Sequence, residues 1–337
     1  MADTLDFRIK LSRGDMFSLD VADSFPMTGV TAIVGPSGGG KTTLLRALAG
    51  LEKAADARVR FRDVDWAAPS LHRPTESRRI GFVFQNPSLF PHLDVAGNLR
   101  YGARRREVES YDAIIDALDL GALMSRQVQG LSGGEARRVA LGRAMASNPD
   151  VLFLDEPLSG LDMPRKSELL PYIGRAVAEA RVPALYVTHS ATEVTTLADR
   201  VIGLSGGVLT GWQVPPARLR ATVTSVSDGI MRVLVDGAEA GTGADFALPV
   251  IAKIGEAVGL GLPSDSILVS TDRPGRSDAL AILPARVVPG EGGLALDVFG
   301  QKITLPKVGP HAVDAELWLS ILRILPRPEP SDSAESR

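Results

Sequence analysis

The chain has 337 residues, 45% apolar and 23% charged, enough apolar material for a sizeable core and a length that suggests two domains. It carries no cysteine, which excludes disulfides, thiolate metal sites and cysteine nucleophiles and is compatible with the cytoplasm. A net charge of −3 argues against a nucleic-acid partner, and with no long apolar run and no export signal in "MADTLDFRIK", any membrane role is expected to come through a partner.

In chain order, "AIVG" (32–35) reads as a short strand and "TTLLRALAG" (42–50) as a helix with apolar residues at helical spacing. Between them "GPSGGGKTT" fits the pattern G-x-x-x-x-G-K-[ST] through Gly35, Gly40, Lys41 and Thr42, with Pro36, Ser37, Gly38, Gly39 and Thr43 completing the loop. Glycines let successive N–H groups curl around phosphate oxygens and the helix N-terminus adds its positive dipole end. Lys41 reaches the terminal phosphates, and the Thr42 hydroxyl suits magnesium. Further on, "GFVFQN" (81–86) reads as a strand followed by Gln85, and "NPSLFPHLDVAGNLRYG" (86–102) offers Phe90, Leu93 and Leu99 either to a docking surface or to a core.

"LSGGEARRVALGRAMA" (131–146) places Ser132 and Glu135 in capping-box spacing ahead of a helical apolar face, with Gly133 and Gly134 leaving backbone N–H groups free to meet an anion. "VLFLDEP" (151–157) is an apolar strand ending in two carboxylates. Asp155 suits a magnesium shell and Glu156 a base that polarises an attacking water. "LSGLD" (158–162) follows, and "LYVTHS" (185–190) is an apolar strand ending at His189.

Together these motifs resemble those of the ATP-binding cassette (ABC) ATPases of membrane transporters, in that family's order, over roughly residues 5 to 215. The resemblance implies an α/β P-loop NTPase fold: a RecA-like core, an antiparallel β subdomain and a helical subdomain. It implies a homodimer with two ATP sites, in which the signature at 131–135 closes on nucleotide held by the other subunit. ATP would be bound by the P-loop, Gln85 and Ser132 to Glu135, and Mg2+ by Thr42, Asp155 and Gln85. Glu156, Lys41 and the switch histidine His189 would be catalytic, and Ser159 and Asp162 would lie in the dimer interface. Two departures stand out: Arg137 replaces the usual glutamine after the signature, and no aromatic residue in "KLSRGD" (10–15) offers an adenine platform, with Phe17 and Phe7 nearby.

Beyond Gly211 the composition changes. Residues 216–221, rich in proline and arginine, read as a linker after an ATPase domain at 1–215. From 222 to 326, short β-type runs alternate with turns, among them "VDGAEAGTG" and "PGEGG", so an all-β barrel is expected, and 327–337 reads as a disordered tail. The runs "LFPHLDVAGNLRYG" and "LDMPRKSELLPY" are similar to those of molybdate-importer ATPases, whose tail is an oligobinding barrel of MOP/TOBE type. That implies import of molybdate or tungstate, two membrane permease subunits, an indirect solute-binding partner, and a place on the cytoplasmic face of the inner membrane. The Ser-x-x-Asn core of such barrels is replaced here, with Asp278 and Ala281 at its positions and Ser277 one residue early, and Arg286 and Lys302 are left unassigned. The alternatives are an importer ATPase for another solute, such as sulfate, iron or a sugar, and a soluble non-transport ABC ATPase. Neither a second P-loop nor heptads support the latter.

Overall fold

Leu5, Phe7, Ile9 and Leu11 alternate with Asp6, Arg8 and Lys10, the period-two pattern of a strand with one wet face. The computed structural model, which describes residues 3–14, 17–54, 56–103, 111–180, 182–239, 244–274, 279–290, 293–305 and 311–328, places them on β1 (Thr4–Arg13). β1 pairs antiparallel with β2 (Phe17–Pro26). After β3 (Val30–Val34) and α1 (Lys41–Ala49) the chain returns to the same sheet as β4 (Asp56–Phe61), β5 (Val64–Ala68) and β6 (Leu71–His72), in the order β2-β1-β4-β5-β6.

A second sheet is mostly parallel. β3 is joined in it by β7 (Ile80–Val83), β8 (Val151–Asp155), β9 (Ala184–Thr188), β10 (Arg200–Ser205) and β11 (Val208–Gln213), in the order β11-β10-β3-β9-β8-β7. Every residue of β8 and β9 is buried, as befits strands covered on both faces. Between β7 and β8 lie α2 (Val95–Ala103), α3 (Asp112–Ala117) and α4 (Gly133–Ala146); α5 (Met163–Ala180) and α6 (Ala191–Leu197) flank β9. Leu44, Leu45 and Leu48 of α1 are fully buried in one core with Phe7, Phe25 and Val59 of the first sheet and Phe153, Leu185 and Ile202 of the second. Burying each leucine contributes roughly 1.5–3 kcal/mol.

Arg78 fastens the C-terminal end of α1. It is 2% exposed and donates to the carbonyls of Leu48, Trp66 and Arg73 at 2.7, 3.2 and 3.0 Å. Burial, helped by the charge of Arg73, brings its pKa down to about 10.

The chain divides into two compact units, Met1–Ser190 with Ala198–Gln213, and Ala191–Leu197 with Val214–Arg337. In the second, β12 (Ala217–Ser227), β13 (Ile230–Val235), β14 (Asp245–Pro249) and β15 (Ala257–Leu262) precede β16 (Ile267–Ser270), β17 (Ala281–Gly290), β18 (Gly293–Val298), β19 (Gln301–Ile303), β20 (Glu316–Ile321) and β21 (Leu325–Pro328). They form two antiparallel sheets, β14-β13-β12-β15-β21 and β16-β20-β17-β18-β19, around a core that includes Leu219, Val233, Leu260, Leu283, Val298 and Leu319.

The linker expected at 216–221 is corrected: all but its first residue lie in β12, with Ala217, Leu219 and Ala221 buried and Arg220 exposed. The arginines alternate with the buried residues of a strand, Arg220 exposed and Arg218 half-buried and donating to the Thr195 carbonyl at 3.4 Å, and do not mark a solvated connector. Of the tail expected at 327–337, Arg327 and Pro328 instead belong to β21, Arg327 pairing with Gly259, and 329–337 lie outside the described residues. Ser277 and Asp278 likewise lie outside them, whereas Ala281 is buried at the start of β17 and Arg286 and Lys302 are exposed.

Candidate functional site

The C-terminal ends of the parallel strands collect the chemistry. β3 leads into the glycine loop, and Gly40 takes the N-cap position of α1 at φ 102° with no side-chain cap and no acidic residue in the first turn. The N–H groups there face outward with the positive end of the helix dipole. Two glycines are sterically required: a Cβ on Gly35 would collide with the Leu204 carbonyl oxygen, and one on Gly40 would meet the Phe17 ring at 3.2 Å in a left-handed conformation. Pro36, Ser37 and Gly38 are exposed, Gly39 is buried and Thr43 is half-buried.

Lys41 is 4% exposed, and its ammonium donates to the Gly35 and Pro36 carbonyls, each at 2.9 Å. It stands 3.8 Å from Glu156 Oε1, which is itself 3.5 Å from His189 Nδ1. The Thr42 hydroxyl donates to Asp155 Oδ1 at 2.7 Å, joining α1 to the end of β8. Burial raises the Asp155 carboxyl above the usual range and the Glu156 charge adds to this, while the Thr42 hydrogen bond opposes it. Glu156 holds a left-handed backbone, φ 43°, with its N–H donated to the Val187 carbonyl at 3.1 Å. His189 is exposed one residue past β9. Gln85 is exposed two residues past β7, the parallel neighbour of β8, and so stands on the same edge as Asp155.

The hydroxyl and carboxylate oxygens of Thr42 and Asp155 are the hard donors a magnesium ion takes beside nucleotide phosphates, so the residues present fit that ion. Lys41, Thr42, Asp155, Glu156 and His189 are thus drawn together from the ends of two strands and the start of a helix.

Ser132 to Glu135 are not part of that cluster: among the described residues no hydrogen bond or ion pair links them to the P-loop. They build their own N-terminus on α4. Ser132 N–H donates to Glu135 Oε2 at 2.7 Å and Glu135 N–H to Ser132 Oγ at 3.3 Å, a complete capping box that leaves Ser132 and Gly133 exposed. The Ser132 N–H, then its hydroxyl, hold the Glu135 carboxyl below the ordinary range, and Arg126 Nη1 donates to the same side chain at 2.9 Å. Ser159 closes a turn by donating its N–H to the Glu156 carbonyl at 3.0 Å, and exposed Asp162 accepts from the Arg165 N–H at 3.3 Å at the start of α5.

The segment after Gln85 divides. Leu99 is fully buried, whereas Phe90 is half-buried against Tyr101, which is 45% exposed, with ring centroids 4.3 Å apart. Fully buried Asn98 accepts from Phe90 N–H at 2.9 Å and donates to the Asp94 carbonyl at 3.0 Å, and Arg143 donates to the Ser88 carbonyl at 2.9 Å. Sequence reading missed both; a polar residue interrupting a helical apolar face was the available signal. Of the two aromatic candidates, Phe7 is buried edge-on against Phe25, while half-buried Phe17 lies beside Gly40.

A phosphate loop, a paired hydroxyl and carboxylate, and a second carboxylate beside a histidine define a P-loop nucleotide-binding domain. The ABC transporter family model matches residues 20–159. The molybdenum import ATP-binding protein ModC of Albidiferax ferrireducens is 36% identical over 329 residues, 89% of this chain and 88% of that protein. ModC 2 of Bradyrhizobium diazoefficiens is 37% identical over 312 residues, covering 86% of this chain and 34% of that protein. The chain thus spans about a third of the Bradyrhizobium relative's length, and about half of several others. Among solved structures, cbiO1 from Clostridium perfringens, part of the ABC transporter complex cbiONQ, matches with TM-score 0.55 and 24% identity over 63% of this chain and 88% of that one, a likeness of fold. The chain belongs to the ABC transporter family of ATP-binding proteins.

Among the described residues no helix is long and apolar enough to cross a membrane.

Proposed function

We propose that this protein hydrolyses ATP to drive an importer of molybdate or tungstate, working as a homodimer on the cytoplasmic face of the inner membrane beneath two permease subunits that receive solute from a binding protein. The observation that carries the ATPase reading is the joining of Thr42 to Asp155 at 2.7 Å with Lys41 and Glu156 alongside. The solute class rests on relatives named as molybdenum import ATP-binding proteins, one similar over nearly its whole length.

In this reading the glycine N–H groups and Lys41 bind the β- and γ-phosphates, and Lys41 exchanges its loop carbonyls for phosphate oxygens. Thr42 and Asp155, with Gln85 beside them, hold Mg2+, which supplies charge neutralisation to the phosphates when bound. Glu156 orients the attacking water and accepts its proton. His189 donates toward the γ-phosphate, Ser132 and the Gly133 and Gly134 N–H groups close over the partner's nucleotide, and Ser159 and Asp162 meet the partner. Phe17, whose ring lies beside Gly40, would take the adenine in this reading. Phe90 and Tyr101 present an aromatic surface to the permease. Residues up to about 215 act as the ATPase domain, and the paired five-stranded sheets after it as a MOP/TOBE-like regulatory barrel.

The test is calorimetric titration of the full-length chain with molybdate, tungstate and sulfate, beside a steady-state ATPase assay. Magnesium-dependent hydrolysis with binding of molybdate and tungstate, but not sulfate, supports the whole reading. Hydrolysis with sulfate binding alone moves the solute class, and absence of hydrolysis removes the ATPase reading.

A further inference from the structure

Arg137, the residue that departs from the family pattern, does not point into solvent. It is half-buried on α4, and burial lowers its pKa from the ordinary arginine value. Its guanidinium donates through Nη1 to the Gly133 carbonyl at 3.2 Å, through Nε to the Pro157 carbonyl at 2.9 Å and through Nη2 to the Ser159 carbonyl at 2.9 Å. One planar fork therefore spans the first turn of α4 and two carbonyls of the turn that follows β8. That turn begins at Glu156, whose left-handed backbone is strained for a residue with a side chain and persists only where its surroundings over-determine it. The Val187 carbonyl holds the turn from the sheet side, and Arg137 grips it from the helix side.

We infer that Arg137 is a positioning residue: it ties the signature end of α4 to the turn that aims the Glu156 carboxylate, so that a shift of Ser132 and Gly133 moves the water-orienting group of the same subunit. This rests on the ATPase reading above. The opposite end of α4 strengthens the link. There Arg143 donates to the carbonyls of Pro87 and Ser88 at 3.3 and 2.9 Å, just after Gln85. A single helix of 14 residues thus holds the Glu156 turn near its start and the Gln85 segment near its end. A glutamine at position 137 has one donor nitrogen on a shorter side chain, and a lysine lacks the fork, so neither reproduces the span.

Steady-state hydrolysis by the full-length chain tests this. Arg137→Ala and Arg137→Lys are expected to lower kcat about tenfold or more with KM for ATP within about threefold, and Arg137→Gln to fall between them and the parent. In a Glu156→Gln background, adding Arg137→Ala is expected to leave ATP affinity within about threefold, which loss of fold would not do. Unchanged kcat in Arg137→Ala overturns the inference. So does a parallel collapse of kcat, ATP affinity and melting temperature in all three variants, which would make Arg137 a structural anchor only. Hydrolysis by the parent chain separates failure of this inference from failure of the ATPase reading; its absence overturns both.

Discussion

The Thr42 hydroxyl donates to Asp155 across 2.7 Å and is the hydrogen bond that fixes the first turn of the P-loop helix against the last residue of β8. It holds an ionisable group in a place that disfavours its charge, since burial raises the Asp155 carboxyl. The folded state binds this proton more tightly than the unfolded chain, so the cost of ionised Asp155 is present above its raised pKa. That cost is relieved as the pH falls through this value toward the ordinary carboxylate range.

Asp155→Asn keeps the acceptor for Thr42 and removes the charge. It is expected to raise the melting temperature at neutral pH by about 2–4 °C, corresponding to ~1 kcal/mol, while abolishing magnesium-dependent hydrolysis. Calorimetric melting across a pH series checks it: the advantage over the parent should shrink as the pH is lowered through the raised carboxyl value. An Asp155→Asn protein less stable than the parent at neutral pH would show that the charge is compensated.

Glu156→Gln is expected to bind ATP with near-parental affinity, to slow hydrolysis by about 10²–10³ and to accumulate as a closed dimer with ATP. Single-turnover kinetics and size-exclusion chromatography measure this. Normal turnover would remove Glu156 as the base.

Ser132→Ala separates a cap from a ligand. Loss of the Ser132 Oγ acceptor costs about 1 kcal/mol of stability, because one N–H of the first turn loses its partner. If the exposed end of α4 also closes on nucleotide, hydrolysis falls far more than that loss accounts for, by about tenfold or more. Thermal melting and hydrolysis measured side by side distinguish the two, and a purely capping role leaves turnover intact.

Asn98→Ala is expected to cost about 1–3 kcal/mol, since it strands the Phe90 N–H that the buried amide oxygen now accepts, while the Asp94 carbonyl keeps its bond to the backbone N–H of residue 98. Amide exchange should accelerate first over residues 86–94, ahead of the sheet. Uniform acceleration across the whole domain would argue that Asn98 supports the core and not this segment.

The candidate phosphate site was legible because its residues are local: Gly35 to Thr43 are contiguous, a loop running into the first turn of α1, and Asp155, Glu156 and His189 stand at or just past the ends of apolar strands that sequence alone reveals. What Arg137, Arg143 and Asn98 do was not legible, because each acts on carbonyls or amides of another segment, and backbone partners leave no mark in composition. Residues 217–221 misled for a different reason. Proline and arginine suggested a connector, yet the arginines occupy alternate positions of a strand whose inward alanines and leucine are too small or too few to give a strong apolar run. Leu99 and Phe90, close in sequence, separated into core and surface only once α2 had a direction.

The burial of α1 bears on how the site opens. Its leucines belong to a core shared by two sheets, and Arg78 pins its far end, so no small excursion can release this helix. Its inner amide protons are therefore expected to exchange only through global unfolding, whereas the exposed signature turn of α4 exchanges through local fraying. In the proposed homodimer the nucleotide's phosphates would meet the least yielding part of one subunit and a far more compliant part of the other, an asymmetry suited to a clamp with a fixed jaw and a moving jaw.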